Sequence, residues 1–360
     1  MPVLRSRPPV RTMKIAIDAH GGDFGLKPNI DGALLAAAQL PHEIILVGRD
    51  AEIREELRRR GAAVSDRLSI VHAPQTVEMG KEPVDECRSK PDSSLMRGVE
   101  LIKDGRADAF ISAGNSGAVM VASLLKLKRI PGIIRPALAA PFPTLRGTTL
   151  LLDVGANMDS KPWHLVQFAI MGSIFMRLRF GVENPSVGLL SVGEEEIKGN
   201  ALTVETVPLM KSVGINFKGP VEGGEIPAGN VDVIVTDGFS GNVALKLAEG
   251  LASVIFKIIK QEVHRKFTYK IGALLMRKVF TGLRKRMDVD EYGGAPLLGV
   301  NGVVLICHGK TNQKAIFNAV KTAAGLVGSG LVVKIQEHME RVKDQISGAR
   351  TAHEEAHEKI

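Results

Sequence analysis

Asp108-Ala109-Phe110-Ile111-Ser112-Ala113-Gly114-Asn115-Ser116-Gly117-Ala118 reads as a short buried strand that passes through small polar residues into the start of a helix. The apolar run is continuous, as a strand covered on both faces requires. Gly114 and Gly117 allow a close turn, and Asn115 and Ser116 bring capping side chains to the helix that follows. The same arrangement recurs along the chain. Runs at 14–19, 43–47, 68–71, 149–154, 187–192, 231–236 and 303–306 read as strands, with amphipathic stretches at 30–39, 93–103, 165–176 and 242–257 between them. This alternation predicts an α/β fold, a mainly parallel sheet covered by helices on both faces. Ligands of such sheets bind beyond the carboxyl ends of the strands, which is where the glycines fall.

Five further strand ends carry comparable loops: Asp18-Ala19-His20-Gly21-Gly22-Asp23, Asp153-Val154-Gly155-Ala156-Asn157, Gly193 through Asn200, Thr236-Asp237-Gly238-Phe239-Ser240-Gly241-Asn242, and His308-Gly309-Lys310-Thr311-Asn312. Glycine brings the backbone close, and a helix N-terminus behind it offers unpaired N–H groups and a positive dipole end. An oxyanion suits such a place, either a phosphate or a carbonyl oxygen gaining charge. Any one of these loops is equally a plain turn; six at strand ends point to a site.

The chain has 360 residues, 44% hydrophobic and 24% charged, which is enough for a large core in two domains or in one α/β unit with two lobes. Residues 1–12 read as a flexible basic tail without an apolar signal region. The α/β domain is expected over 13–334, and 335–360 as a charged C-terminal helix and tail. Cys87 and Cys307 are far apart and form no CxxC, which suggests a reducing cytoplasm and neither a disulfide framework nor a thiolate zinc site. One Trp and two Tyr leave little to stack on bases, so nucleic acid is not an expected partner despite the net charge of +8.

That charge is concentrated. Residues 257–286 hold ten Lys and Arg against one acid, Glu262, a net +9, and the rest of the chain sums to −1. Leu251, Val254, Ile255, Ile258, Ile259, Val263 and Phe267 recur at helical spacing, and Ile271, Leu274, Leu275, Val279 and Leu283 resume it after an expected break over 269–272. A protruding helix pair over 251–287 is therefore expected. It would meet an anionic membrane surface, an acidic protein or a second copy of the chain, or else pack on its own domain with a solvated basic face.

Several motifs are decoys. Gly309-Lys310-Thr311 resembles the end of a phosphate-binding P-loop, but its first glycine would fall on Val304. The first strand-to-helix turn carries no G-x-G-x-x-G. His353-Glu354-Glu355-Ala356-His357 matches a zinc-protease pattern only formally, in a polar tail. Cys307 and His308 are adjacent in a strand, so their side chains point to opposite faces. No metal constellation or cofactor is expected.

The ordered motifs DAHGGD (Asp18, Gly21, Gly22, Asp23), KPDSS, SAGNSGA, LDVGANMDSK, GLLSVGEEEIKGN, DGFSGN, GGAPLLG and His308-Gly309 resemble those of the bacterial acyl-[acyl-carrier-protein]:phosphate acyltransferases, the PlsX family, over about 13–334. His20 stands where that family usually has Met, and Ser160 where it has Cys. The resemblance implies a fold similar to isopropylmalate dehydrogenases and phosphotransacetylases. It also implies phosphorolysis of a long-chain acyl thioester on acyl carrier protein to acyl phosphate, which a membrane glycerol-3-phosphate acyltransferase would use for phospholipid synthesis. Helices that pack across a homodimer are implied as well. Alternatives on a similar fold are a coenzyme A-dependent phosphotransacylase and a nicotinamide-dependent decarboxylating dehydrogenase; the latter needs aspartates clustered for a metal, which the sequence does not offer.

Phosphate would itself be the nucleophile, so no Ser or Cys acyl-enzyme is required. Its cradle is assigned to Gly114, Asn115, Ser116 and Gly117 and to Asp237, Gly238, Ser240, Gly241 and Asn242. Lys198 is the candidate charge partner, or else it pairs with Glu194, Glu195 or Glu196. Asn115, Asn157, Asn200 and Asn242 are candidate oxyanion donors, and His308 is either a proton relay or a hydrogen-bonded structural residue. Ile271, Leu274 and Leu275 are the expected membrane contact of an enzyme placed in the cytoplasm, peripherally on the inner face of the membrane.

Overall fold

The computed structural model describes residues 11–343. In chain order the elements open with β1 (Lys14–Asp18), α1 (Leu26–Gln39), β2 (Glu43–Gly48), α2 (Asp50–Arg58), β3 (Leu68–His72), α3 (Pro83–Ser89), α4 (Ser94–Lys103), β4 (Ala109–Ser112) and α5 (Ser116–Lys126). They continue with β5 (Ala137–Thr144), β6 (Gly147–Leu152), α6 (Pro162–Phe180), β7 (Ser186–Ser191), α7 (Ala201–Ser212), β8 (Asn216–Glu222) and β9 (Val233–Val235). The last are α8 (Gly238–Arg265), α9 (Phe267–Leu275), α10 (Arg277–Arg286), β10 (Ala295–Leu298), β11 (Val303–Ile306) and α11 (Gln313–Gly328). A further helix covers Leu331–Lys343. The rest of the expected C-terminal tail, with His353 and His357, lies outside the described residues, as do the first ten residues of the expected basic tail.

The described residues divide into two compact units, one holding 11–131 together with 292–336, the other 132–291 with 337–343. In the first, the strand order is β3-β2-β1-β4-β11-β10, parallel from β3 through β11 and closed by antiparallel β10. Ile15, Ile17, Ile44, Leu46, Phe110 and Ile111 are fully buried, which is why these strands read as unbroken apolar runs. Ser93 starts α4 by accepting the Met96 amide, and α1 packs on α11.

The second unit has the order β5-β6-β9-β7-β8, parallel except for the β5–β6 hairpin. Helix α6 is buried almost all round, from Trp163 to Met176, and packs on β6, β7, β9 and α7. The α/β class expected from the sequence holds in each unit. Three strands went unread. β5 contains Pro141 and Pro143, β8 carries Gly219 and Pro220 beside an irregular register, and β10 contains Pro296, all residues that weaken a strand reading.

The expected helix pair is corrected to three segments. Helix α8 rests on the core through Ala244, Leu245 and Ala248, and beyond Gly241 none of its residues is buried. The break falls at Lys266, whose backbone is extended (φ −132°, ψ 147°), and again at Met276, not at residues 269–272. Gly272 lies inside α9, with nothing within 4 Å of where its Cβ would stand. The Arg286 guanidinium ties the end of α10 to the β5–β6 turn, donating to the carbonyls of Thr144 and Leu145 at 2.6 Å each.

Candidate active site

In the first unit three adjacent parallel strands, β1, β4 and β11, end together, and one hydrogen-bond chain locks their loops. The buried Asp18 carboxylate accepts the His20 amide (3.1 Å) and the Ser112 hydroxyl (2.8 Å), and Ser112 Oγ accepts the Gly114 amide (3.0 Å). The Asp23 amide donates to the Gly309 carbonyl at 2.7 Å. Gly21 is required there, because a Cβ would stand 2.8 Å from the Gly114 nitrogen and 2.9 Å from the Asp18 carboxylate. The structure therefore brings Asp18, Gly21, Gly22, Asp23, Gly114 and Gly309 together as the sequence suggested. Ser112, read only as strand, is the link between two of the loops.

Asn115 has a different task from the one expected. Its Oδ1 caps α5 by accepting the Ala118 amide, and its Nδ2 donates to the carbonyls of Met79 (3.0 Å) and Lys81 (3.3 Å), so both ends of the amide are occupied in tying down residues 79–81. The amides of Ser116 and Gly117 have no acceptor among the described residues and remain directed at the strand ends. His308 is exposed, and its Nδ1 accepts the Lys310 amide at 3.1 Å. Cys307, which like His308 lies past the end of β11, is buried.

In the second unit β6 and β9 end side by side. Asp153 is fully buried. Its Oδ1 accepts the amides of Leu138, Gly155 and Ala156 at 2.9, 3.2 and 3.0 Å, and its Oδ2 accepts the backbone and side-chain N–H groups of Asn157 at 2.7 and 2.9 Å. Burial pushes this carboxyl up, and the Ala156, Asn157 and Leu138 donors pull the other way. With five N–H donors on its two oxygens, the ionised form is the one that fits. Asn157 Nδ2 also reaches the Pro136 carbonyl at 2.7 Å, so this amide too is occupied and is not a free oxyanion donor.

Helix α8 starts against that loop. Asp237 caps it by accepting the Ser240 amide at 2.9 Å, and the Gly238 amide donates to the Asn157 carbonyl at 2.8 Å. Asn200 caps α7 through the Thr203 amide at 2.9 Å. Of the four candidate asparagines, Asn242, beside Gly155, makes no side-chain hydrogen bond among the described residues, and Asn200 keeps its Nδ2 without an acceptor there. The Lys198 ammonium pairs with Glu195 at 2.7 Å in an exposed loop, as the nearby acids allowed. The pairing raises the Lys198 pKa.

Four histidines, His20, His42, His164 and His338, have pKa values lowered, in each case chiefly by burial. His164 is the extreme, at about 4, with Arg135 and Lys161 adding to the effect. The folded protein then binds fewer protons than the unfolded chain below about 6.5, so stability is full above that pH and is lost as pH falls toward 4. Urea midpoints at pH 5 and pH 7 are expected to differ in that sense, and His164→Gln to flatten the slope. Equal or higher stability at pH 5 would contradict it.

Among the described residues no three His, Cys, Asp or Glu side chains gather as metal ligands. Sequence reasoning passed over Arg135, which precedes a proline in no motif, and His164, which sits inside an apolar helix.

Residues 13–334 match the family described as fatty acid synthesis protein. A phosphate acyltransferase of Elusimicrobium minutum is 51% identical over 332 residues, covering 92% of this chain and 97% of its own length. Among solved structures, a phosphotransacetylase from Streptococcus pyogenes aligns with a TM-score of 0.60 at 20% identity, over 87% of this chain and 93% of that one. A 4-hydroxythreonine-4-phosphate dehydrogenase from Klebsiella pneumoniae gives 0.52 at 11% identity, over 88% and 100%. At these identities the two structures establish the fold alone, and it is the one that the strand and helix alternation predicts.

Proposed function

Since this chain belongs to the fatty acid synthesis protein family and is an acyltransferase, we propose that it moves the long-chain acyl group of an acyl-carrier-protein thioester onto inorganic phosphate. A phosphate oxygen attacks the thioester carbonyl carbon, and the carbon–sulfur bond breaks. Acyl phosphate forms, and the carrier leaves as a thiolate that takes a proton from water. The reaction is reversible. The observation that carries this reading is the family match over residues 13–334, which spans all the strand-end loops. The chemistry agrees with the side chains. Cys87 and Cys307 are both buried, and burial pushes the Cys87 thiol up, so neither suits an acyl-enzyme. What the reaction needs instead is a held anion, alignment at about 3–3.5 Å and donors for the tetrahedral oxyanion. In the second unit the Asn242 amide, without a hydrogen bond among the described residues, is suited to donate.

The test is to mix the protein with palmitoyl-carrier protein and phosphate and to trap acyl phosphate with hydroxylamine. Phosphate-dependent hydroxamate without added metal or nucleotide is expected. Intact thioester, or an absolute need for NAD, would reject the reading, and a preference for palmitoyl-coenzyme A would reassign the donor.

The product is a reactive mixed anhydride, suited to a glycerol-3-phosphate acyltransferase in the membrane, and α8 through α10 suit a place at the cytoplasmic face. The exposed apolar stripe Leu247, Leu251, Val254, Ile255 and Ile258 is a seam for a second copy of the chain. Ile271, Leu274 and Leu275 form an apolar tip, with Leu274 and Leu275 69% and 82% exposed and Lys266, Lys270, Arg277 and Lys278 around them. Each such cation contributes about 1 kcal/mol near an anionic leaflet. Binding to phosphatidylglycerol vesicles is expected to fall steeply with salt. Leu274→Glu is expected to abolish it while activity on soluble carrier substrate persists. Dissociation or unfolding of this variant, with no vesicle binding by the parent, would assign the tip to the seam or the core.

A further inference from the structure

Several cations near the strand ends are paired: Lys90 with Glu86, Lys126 with Glu100, Lys198 with Glu195 and Lys211 with Glu196. Two beside the 153–157 loop are not. Arg135, just ahead of β5, and Lys161, just ahead of α6, are exposed, and neither has an ion-pair partner among the described residues. They are 26 positions apart, yet the Asp153–Asn157 loop links their segments. Asn157 Nδ2 holds the Pro136 carbonyl at 2.7 Å, and Lys161 lies four residues beyond Asn157. The same loop accepts the first amide of α8.

Gln167 ties the two segments further: its Oε1 accepts the Ile134 amide and its Nε2 donates to the Gly132 carbonyl, each at 2.8 Å, on the same helix as His164. The His164 imidazole is 6% exposed, its Nδ1 accepts the Lys161 amide at 3.1 Å, and the positive fields of both Arg135 and Lys161 reach it. No acid is among the groups acting on it. Between Asn157 and Lys161, the Ser160 hydroxyl oxygen is shut off from solvent and has no hydrogen-bond partner. Two cations without an ion-pair partner among the described residues, on segments that one loop links, and an unsatisfied buried hydroxyl beside one of them describe an arrangement completed by an anion.

We propose that Arg135 and Lys161, with the Ser160 hydroxyl, seat the inorganic phosphate dianion that attacks the acyl donor, an assignment that rests on the acyl transfer proposed above. The guanidinium fork grips two oxygens in plane and the ammonium acts as a point charge. One phosphate oxygen stays free to attack. Neutral amides at helix starts orient an anion, but two full positive charges are needed to offset a dianion.

His164 gives a readout independent of turnover. With histidine-labelled full-length protein, its NMR titration midpoint is expected to rise from about 4 when inorganic phosphate is added at constant ionic strength, because the bound anion cancels both fields, while burial, the larger cause, keeps it below 6.5. Arg135→Gln and Lys161→Gln should each raise the midpoint in the absence of phosphate and remove the further rise. Each should also increase the KM for phosphate about tenfold, with the KM for the acyl donor within about twofold, the loss of one charge-assisted contact. A midpoint unmoved by saturating phosphate would overturn the seat even where acyl phosphate forms. A midpoint moved by phosphopantetheine but not by inorganic phosphate would give the cations to the carrier's prosthetic group and overturn it as well. A phosphate-driven rise without any acyl phosphate would uphold the seat and reject the transfer reaction.

Discussion

Asp153→Ala is expected to remove about 4 kcal/mol of stability, because it takes away the carboxylate that accepts five N–H groups in a site closed to water. The donors come from Leu138 on β5 and from the whole 155–157 turn, so the loss reaches the start of α8, which hangs on the Asn157 carbonyl. Asp153→Asn should cost about half as much: one oxygen remains for Leu138, Gly155 and Ala156, while an NH2 group now faces the two Asn157 donors. Urea denaturation of the three proteins checks this order. Variants within about 0.5 kcal/mol of the parent would mean that surface-like relaxation or entering water replaces the carboxylate, and that the loop is not held as described.

Gly241→Ala should abolish most activity. A Cβ at this position in the first turn of α8 would stand 2.0 Å from the Asp153 carbonyl oxygen, 2.8 Å from the Thr236 methyl and 3.1 Å from the Asp153 carbonyl carbon. Two of those neighbours are backbone, which cannot swing aside as a side chain does, so the helix start and the 153–157 loop must separate. A hundredfold or greater fall in kcat/KM is expected, about 2.7 kcal/mol of lost transition-state stabilisation, since that junction carries Asn242 and adjoins the proposed phosphate seat. Gly250→Ala, on the exposed part of the same helix with nothing within 4 Å, is the control; it should leave activity intact and stabilise by about 0.5–1 kcal/mol. Near-normal turnover in Gly241→Ala would show that the α8 start does not position the reacting groups.

The strand-end loops were legible because their signals are local. Ser112 through Gly117 and Asp237 through Asn242 each end a buried apolar run with a cap and a glycine, and the structure places a strand, a turn and a helix there. Helix α8 was legible from its periodicity, but its end was not. Lys266 carries no breaker signal, and the extended backbone there is stated only by the structure, whereas Gly272, the apparent breaker, is accommodated inside α9. Strand β5 was hidden by Pro141 and Pro143, residues that weaken a strand reading.

The sequence by itself determined the α/β class, the family through the order of its loops, and the concentration of positive charge in residues 257–286, because hydrophobic period, glycine placement and charge are properties of neighbouring residues. Tertiary structure alone decided which polar groups are occupied. Asn115 and Asn157 close onto carbonyls 36 and 21 positions away, Lys198 finds Glu195, and Arg135 and Lys161 are left without a carboxylate. Hydrogen bonds and ion pairs act over about 3–4 Å in space regardless of separation along the chain, so an unoccupied donor or charge becomes visible only after the chain has folded.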